Sequence, residues 1–355
     1  MPFADRKLDW ESEAMRPDCD APPEAPLVAI VGPTGSGKSE LALALAELFP
    51  AEIVNCDSVQ LYRYLDIGSA KLPVERRRDI PHHMIDVALP DEPMSAGDYA
   101  RRVRPLLGEI VARGRIPFVV GGTGFYLRAL LDGLFRGPGR DPALRARLLE
   151  RQRRRPGSLH RILWRLDPAS AARIHPHDVN KLIRALEVCL LTRRPLSSLW
   201  GEGRDRLEGF RPLKIGLDPP RPLLYARLEA RCRAMFEAGL IDEVRRILAM
   251  GYPPTSKALE ALGYRQALEV LRGRLEPDEA LRLAQRQTRR YAKRQWTWFR
   301  HDPAVEWFAG FGDEPRLVRA VAARLGLYLK SFPEFARPEL PADGCTPALE
   351  DGGRR

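Results

Sequence analysis

The chain has 355 residues, 44% of them hydrophobic, and 58 Lys and Arg against 47 Asp and Glu give a formal net charge of +11. That composition suits one large core plus a second unit; it is too apolar for wholesale disorder, and no run of about 18 apolar residues exists to span a bilayer. The first twenty residues mix both charge signs without an apolar segment, and five dispersed cysteines lack any C-x-x-C pair, so secretion, a disulfide framework and a zinc finger are all disfavoured and a cytoplasmic monomer is expected.

Residues 1–25 are polar and Pro-punctuated and read as a tail. Residues 27–31 (LVAIV) form an apolar run that stops at a glycine-rich loop, the signature of a buried parallel strand. Residues 39–49 follow as a helix, residues 51–56 (AEIVNC) as a second strand, and residues 116–120 (IPFVV) as a third, ending at Gly121-Gly122-Thr123-Gly124. Strands alternating with helices predict an α/β fold, a parallel sheet with helices on both faces, whose first part spans residues 26–135. Strand signals vanish over 136–205, which reads as an arginine-rich helical insertion. Residues 206–332 complete the core with a strand at 214–217 and helices at 222–238, 241–250, 257–271 and 277–300. Residues 333–355 are rich in Pro and Gly and read as a second tail.

The positive charge is concentrated. The window 134–161 holds nine arginines and two acids, and the window 282–300 holds six arginines, one lysine and no acid. Each nets +7, which leaves −3 for the rest of the chain. Two patches on a slightly acidic remainder point to an extended polyanion, with a membrane surface as a weaker reading and plain solvated helix faces as the bland one. Arg286, Arg289 and Lys293, with Arg282, fall on one stripe of the 277–300 helix, and Tyr291, Trp296 and Trp298 lie beside it. Phosphate contacts with base stacking suit that stripe; a solvated face over core aromatics is the plainer alternative.

Three motifs end the predicted strands. Gly32-Pro33-Thr34-Gly35-Ser36-Gly37-Lys38-Ser39 is a full G-x-x-x-x-G-K-S between strand and helix. Its backbone N–H groups and helix N-terminus face an anion, Lys38 adds a point charge, and Ser39 can ligate Mg2+. The second is Asp57-Ser58-Val59-Gln60, which follows the second strand and so faces the same crevice; Asp57 there can accept a proton or bind a metal through water. The third carries Thr123, which can donate to a phosphate or a base. A GTPase base reader is missing, since Asn180-Lys181-Leu182-Ile183 ends in Ile. The metal-binding acid usual at an ATPase strand end is missing too, since residues 116–120 lead into glycine. The loop establishes phosphate or pyrophosphate binding, not hydrolysis; a small-molecule or nucleotide kinase with Asp57 as base and a nucleic-acid-binding ATPase are readings open at this point.

Together these segments resemble the tRNA dimethylallyltransferase (tRNA isopentenyltransferase) family, bacterial type. GPTGSGKS, DSVQLYRYLDIGSAK, PHHMID, GGTGFYLRAL, DPALRARL, ARIHP, RALEV, ALGYRQAL and TRRYAKRQWTWFR occur in family order between residues 27 and 307. Gly35 stands where the family usually has Ala, and Val179, Asn180 and Lys181 replace its common Pro, Gln and Arg. The lone Cys345 shows no trace of the zinc finger that eukaryotic members append.

The resemblance implies a P-loop NTPase-like fold and transfer of a dimethylallyl group from dimethylallyl diphosphate to N6 of adenosine 37, beside the anticodon of tRNA. It makes Asp57 the general base and Thr34 a contact to the leaving group. Residues 32–39 and Arg231 become pyrophosphate ligands, with Mg2+ at Ser39. Asp57, Ser58, Val59, Gln60, Thr123 and Arg145 match tRNA-contacting positions. So do Asn180, Lys181, Leu182, Ile183 and Arg184, and likewise Glu260, Ala261, Leu262, Gly263, Tyr264 and Arg265. The insertion is expected to grip the anticodon stem-loop.

Overall fold

The computed structural model describes residues 24–135, 137–201 and 205–335. Arg136, Cys19, Cys345 and most of the two expected tails lie outside them. In chain order the elements are β1 (Ala25–Val31), α1 (Lys38–Leu48), β2 (Ala51–Asn55), β3 (His82–His83), α2 (Ala96–Ala112), β4 (Ile116–Val120) and α3 (Gly124–Leu131). Then come α4 (Pro142–Arg154), α5 (Ser158–Leu166), α6 (Pro168–Arg173) and α7 (Val179–Thr192). The chain returns with β5 (Phe210–Asp218), α8 (Arg221–Glu237), α9 (Leu240–Ala249), α10 (Tyr264–Leu271), α11 (Pro277–Arg300), β6 (Val305–Ala309) and α12 (Pro315–Leu329).

The strands form one parallel sheet in the order β3-β2-β4-β1-β5-β6. Alternation along β1 sends Leu27, Ala29 and Val31 to one face and Val28 and Ile30 to the other. Helices α2, α3, α9 and α10 cover the first face, and α1 and α12 cover the second. Both faces of β1 are therefore buried, which is why its sequence is continuously apolar; each such Leu, Ile or Val contributes about 1.5–3 kcal/mol. The central strands end at the same carboxyl edge, where Val120 is in register with both Ile30 and Asn55. In a doubly wound sheet that edge is where ligands bind.

Helices α4 to α7 close around a separate apolar core that includes Leu148, Leu159, Leu163, Leu182, Ile183 and Leu186. Asp141 and Asp167 cap α4 and α6, each accepting from a backbone N–H three residues on, and Pro142 and Pro168 occupy the first helical turn. Arg104 of α2 reaches Asp205 Oδ2 at 2.7 Å, which ties the return of the chain to the core.

Several expectations are corrected. The expected 257–271 helix is two elements, a 3-10 turn at Lys257–Glu260 and then α10, because Gly263 between them takes φ +86°. The chain after β5 is not wholly helical: β6 adds an edge strand whose half-buried VEWFA pattern lacks the apolar run of a central strand. Ala25, expected within the first tail, pairs with Phe210. Pro333–Phe335, expected to begin the second tail, form a helical turn with Phe335 buried against the α12 side. Among the described residues no helix is long and apolar enough to cross a membrane.

Candidate active site

The loop between β1 and α1 wraps a concave surface because Gly32, Gly35 and Gly37 all take positive φ. Lys38 Nζ folds back to donate to Pro33 O at 2.8 Å. Burial pushes the Lys38 ammonium down to about 8, against the pull of the nearby Asp57 carboxylate. From α8, Arg231 donates to Thr34 Oγ1 at 2.6 Å, and its burial lowers the guanidinium below its ordinary range. Among the described residues, two buried side-chain atoms here have no hydrogen-bond partner, Ser36 Oγ and Arg231 Nε. Buried polar atoms are seldom left so; one belongs to the loop and the other to the arginine that bonds to it.

The sheet edge holds the other two motifs beside this loop. Cys56 N donates to Val120 O, and Thr123 N donates to Cys56 O. Thr123 Oγ1 accepts from Ser58 N at 3.1 Å. Asp57 Oδ1 accepts from Val59 N at 2.8 Å and more weakly from Gln60 N at 3.4 Å, while Oδ2 takes no hydrogen bond among the described residues. The aspartate is thus fixed through one oxygen, and the other is left for a ligand.

Two cavities adjoin. The first, about 370 Å3, is lined by Thr34, Lys38, Ser39, Glu40, Asp57 and Arg231, among others. The second, about 500 Å3, is lined by Asp57, Ser58, Met235, Leu262, Tyr291 and Arg294, among others. Thr34, Asp57, Ser69 and Arg231 belong to both. The phosphate loop and an open, partly apolar chamber therefore share a wall, and Asp57 stands in it.

A profile of the IPP transferase family matches residues 60–302, and one described as isopentenyl transferase matches residues 25–86. The chain belongs to the IPP transferase family. It is 59% identical to a tRNA dimethylallyltransferase of Solibacter usitatus over 304 residues, 86% of this chain and 99% of that one. Against a tRNA dimethylallyltransferase of Koribacter versatilis it is 56% identical over 293 residues, covering 82% and 95%. A full-length tRNA isopentenylpyrophosphate transferase from Bacillus halodurans superposes with a TM-score of 0.65 at 36% identity, covering 86% of this chain and 96% of that one. A eukaryotic dimethylallyltransferase acting on tRNA superposes with a TM-score of 0.74 at 25% identity, covering 86% and 80%. The fold is P-loop NTPase-like, as these neighbours are.

Not every position named from the family motifs faces the cavities. Glu260, Ala261, Leu262, Gly263 and Arg265 line the second cavity, but Tyr264 is fully buried and its hydroxyl donates to Glu243 Oε1 at 2.6 Å. That bond belongs to a buried network: Glu243 also accepts from Ile67 N, so Tyr264 braces the DSVQLYRYLDIGSAK segment from within. Leu182 and Ile183 are likewise core residues of the helical unit, while Asn180 and Lys181 on the same helix are exposed. Helical phase separates them, which a contiguous motif does not reveal.

Arg145 and Arg184 converge on Glu187, at 3.0 and 2.7 Å, and the fully buried Glu187 also accepts from Asp141 N. Burial works against the Glu187 charge, yet these partners hold the carboxyl below its ordinary range. On α11, Arg286 and Lys293 are exposed, whereas Arg289 pairs with Glu229. None of these residues of α4, α7 and α11 lines either cavity; the face of α11 that does carries Gln287, Arg290, Tyr291 and Arg294. Of the aromatics beside the stripe, Trp296 is core and donates to Asp218, while Trp298 is 42% exposed.

Sequence reasoning missed two supports. Gln295, buried, accepts from Thr34 N at 2.8 Å and donates to Gly122 O at 2.9 Å, so it ties the phosphate loop to the GGTG turn. Gly312, in the loop after β6, donates to Ser36 O at 2.8 Å; a Cβ there would lie 2.1 Å from Gly37 O. Only the fold brings these distant residues to the loop.

Proposed function

We propose that this protein transfers a dimethylallyl group from dimethylallyl diphosphate to N6 of adenosine 37 of tRNA and releases diphosphate, acting as a cytoplasmic monomer. The observation that carries it is the position of Asp57, common to the two cavities. The diphosphate lies in the glycine-loop cavity. There the loop amides, Lys38 and Arg231 meet the charge that grows on the leaving oxygen, the largest electrostatic demand of the reaction. The adenine enters the second cavity, out of its stack as base-modifying enzymes require.

An adenine N6 amine is a weak nucleophile because its lone pair is shared with the ring. Asp57 Oδ2 accepts the N6 proton as the N6–C1 bond forms and the C1–O bond breaks, with the electron pair leaving on the diphosphate. Thr34, held by Arg231 and Gln295, sits beside the leaving group and fixes the donor against the acceptor.

The donor set fits a hard cation such as Mg2+. Ser39, Glu40 and Asp57, all oxygen ligands, line the first cavity, and no cluster of three His, Cys, Asp or Glu occurs among the described residues to hold a metal by itself. Ser39 would hold the ion together with diphosphate oxygens, and the ion would add positive charge on the leaving group.

The arginine-rich helical unit and the exposed residues of α11 support an RNA grip separate from the chemistry. Incubation of the purified protein with unmodified tRNA, Mg2+ and dimethylallyl diphosphate, followed by nucleoside mass spectrometry, tests the function. The expected product is one adenosine heavier by a five-carbon unit, without ATP. A tRNA left unmodified, or a phosphorylated product made at the expense of ATP, would refute it.

A further inference from the structure

We propose that Glu243 is a positioning residue for prenyl transfer: its buried carboxylate fixes the turn 66–71, which runs along the wall shared by the two cavities. The proposal rests on the prenyl-transfer function above and adds a residue to which that function assigns no part. Glu243 lies in the first turn of α9, is 3% exposed and lines neither cavity. Burying a carboxylate is costly unless its oxygens are hydrogen-bonded, so its partners show what it holds in place.

Three of those partners are consecutive backbone amides. Glu243 Oε2 accepts from Asp66 N at 3.2 Å and from Ile67 N at 2.8 Å. Oε1 accepts weakly from Gly68 N at 3.4 Å and strongly from the Tyr264 hydroxyl at 2.6 Å. Bonds from amides to an anion are roughly twice as strong as neutral ones, so one side chain fastens the start of the turn to α9. The Tyr264 ring supports it as well. A Cβ on Gly68 would fall 2.5 Å from Tyr264 Cε2, so only glycine lets the turn lie this close to α9 and α10.

The turn passes from one cavity to the other. Gly68 and Ser69 line the second cavity, while Ser69, Ala70 and Lys71 line the first. Its far end is pinned by Lys71, whose Nζ donates to Tyr62 O at 2.9 Å and to the Asp66 and Asp86 carboxylates at 2.6 Å each. Its middle is tied to the general-base segment, because Gln60 Nε2 donates to Ser69 O at 3.1 Å and Gln60 N donates to Asp57 Oδ1. Release of the three amides therefore moves the wall where donor and acceptor meet and disturbs the support of Asp57. Misplacement by about 1 Å far from the chemistry can cost roughly 10²-fold in rate. Glu243 acts through this turn and touches no substrate.

The test is single-turnover transfer by the full-length protein with dimethylallyl diphosphate and unmodified tRNA both saturating, read beside the dissociation constant of dimethylallyl diphosphate. Glu243→Ala should slow transfer by roughly 10- to 100-fold while that constant stays near the wild-type value, because Glu243 makes no bond to the phosphate loop. A merely structural role would lower stability and leave the rate of the folded protein unchanged. Glu243→Gln should restore most of the rate: its amide oxygen still accepts from Ile67 N, and its NH2 group donates to the Tyr264 hydroxyl. Tyr264→Phe, which keeps the ring and the three amide bonds, should cost less than Glu243→Ala. If Glu243→Ala does not fold, Gly68→Ala decides. Its added Cβ meets the fully buried Tyr264 ring and displaces the turn with the carboxylate intact, so slow transfer at unchanged donor affinity is expected. A wild-type rate in folded Glu243→Ala or in Gly68→Ala, an equal loss in Glu243→Gln and Glu243→Ala, or a loss explained wholly by weaker donor binding would overturn the proposal. An inactive wild type would instead refute the prenyl-transfer reading itself, so the two failures are distinguishable.

Discussion

Lys38 links the shape of the phosphate loop to a measurable pH dependence. Its ammonium is enclosed by the loop and pushed down to about 8, so the free protein loses the charge as pH rises through that value. A diphosphate bound against Lys38 favours the charged form, and binding above pH 8 must therefore take up a proton. The terminal phosphate has shed its last proton well below this range, its ordinary value being near 6. Affinity should be nearly constant from pH 7 to 7.5. It should then fall until, at pH 9, only about one molecule in eleven carries the charge and the apparent dissociation constant is roughly tenfold higher. Isothermal titration with dimethylallyl diphosphate in two buffers of different ionisation enthalpy reads both the affinity and the proton uptake. Lys38→Met should bind weakly and without this pH slope. A flat wild-type profile between pH 7 and 9.5, or the same slope in Lys38→Met, would refute the assignment.

Three further expectations follow from the supports of the site. Gln295→Leu strands Thr34 N and Gly122 O, and at about 1–3 kcal/mol for each unsatisfied group it should lower the stability measured by urea unfolding by about 2–6 kcal/mol; a loss below about 1 kcal/mol would mean that the two groups find other partners. Glu187→Ala leaves Arg145, Arg184 and Asp141 N without their shared acceptor, and about 3–5 kcal/mol of local stability should vanish. Hydrogen exchange should show the loosening in α4 to α7, and uniform loosening of the sheet would contradict a local role. Neutralising Arg286 and Lys293 should flatten the salt dependence of tRNA binding more than neutralising Arg289, which is already paired with Glu229, and equal effects would show that this ion pair opens in the complex.

Much of the site was legible because its residues are short-range in sequence. A strand, a glycine-rich loop and a helix follow one another within residues 25–48, and each of the other two motifs directly follows its strand, so local chemistry predicts where Lys38, Asp57 and Thr123 face. What was hidden depends on long-range packing or on helical phase. Gln295 is 261 residues from Thr34, and nothing near either residue signals their bond. Leu182 and Ile183 stand beside exposed Asn180 and Lys181, and only the direction of the α7 core separates the two pairs. Tyr264 shares the ALGYRQAL motif with Gly263 and Arg265, which reach the cavity, yet its own ring turns inward to Glu243. The edge strand β6 escaped notice for a related reason: an edge strand covered on one side needs no continuous apolar run.

The most direct measurement is single-turnover prenyl transfer by Asp57→Asn. The amide keeps an oxygen to accept from Val59 N, so the loop is preserved, but it cannot take the N6 proton. Transfer should slow by roughly 10²- to 10⁴-fold while the affinities for tRNA and for dimethylallyl diphosphate stay near those of the wild type. A wild-type transfer rate, or a loss explained wholly by weaker binding, would contradict the assignment of Asp57 as the base between the two cavities.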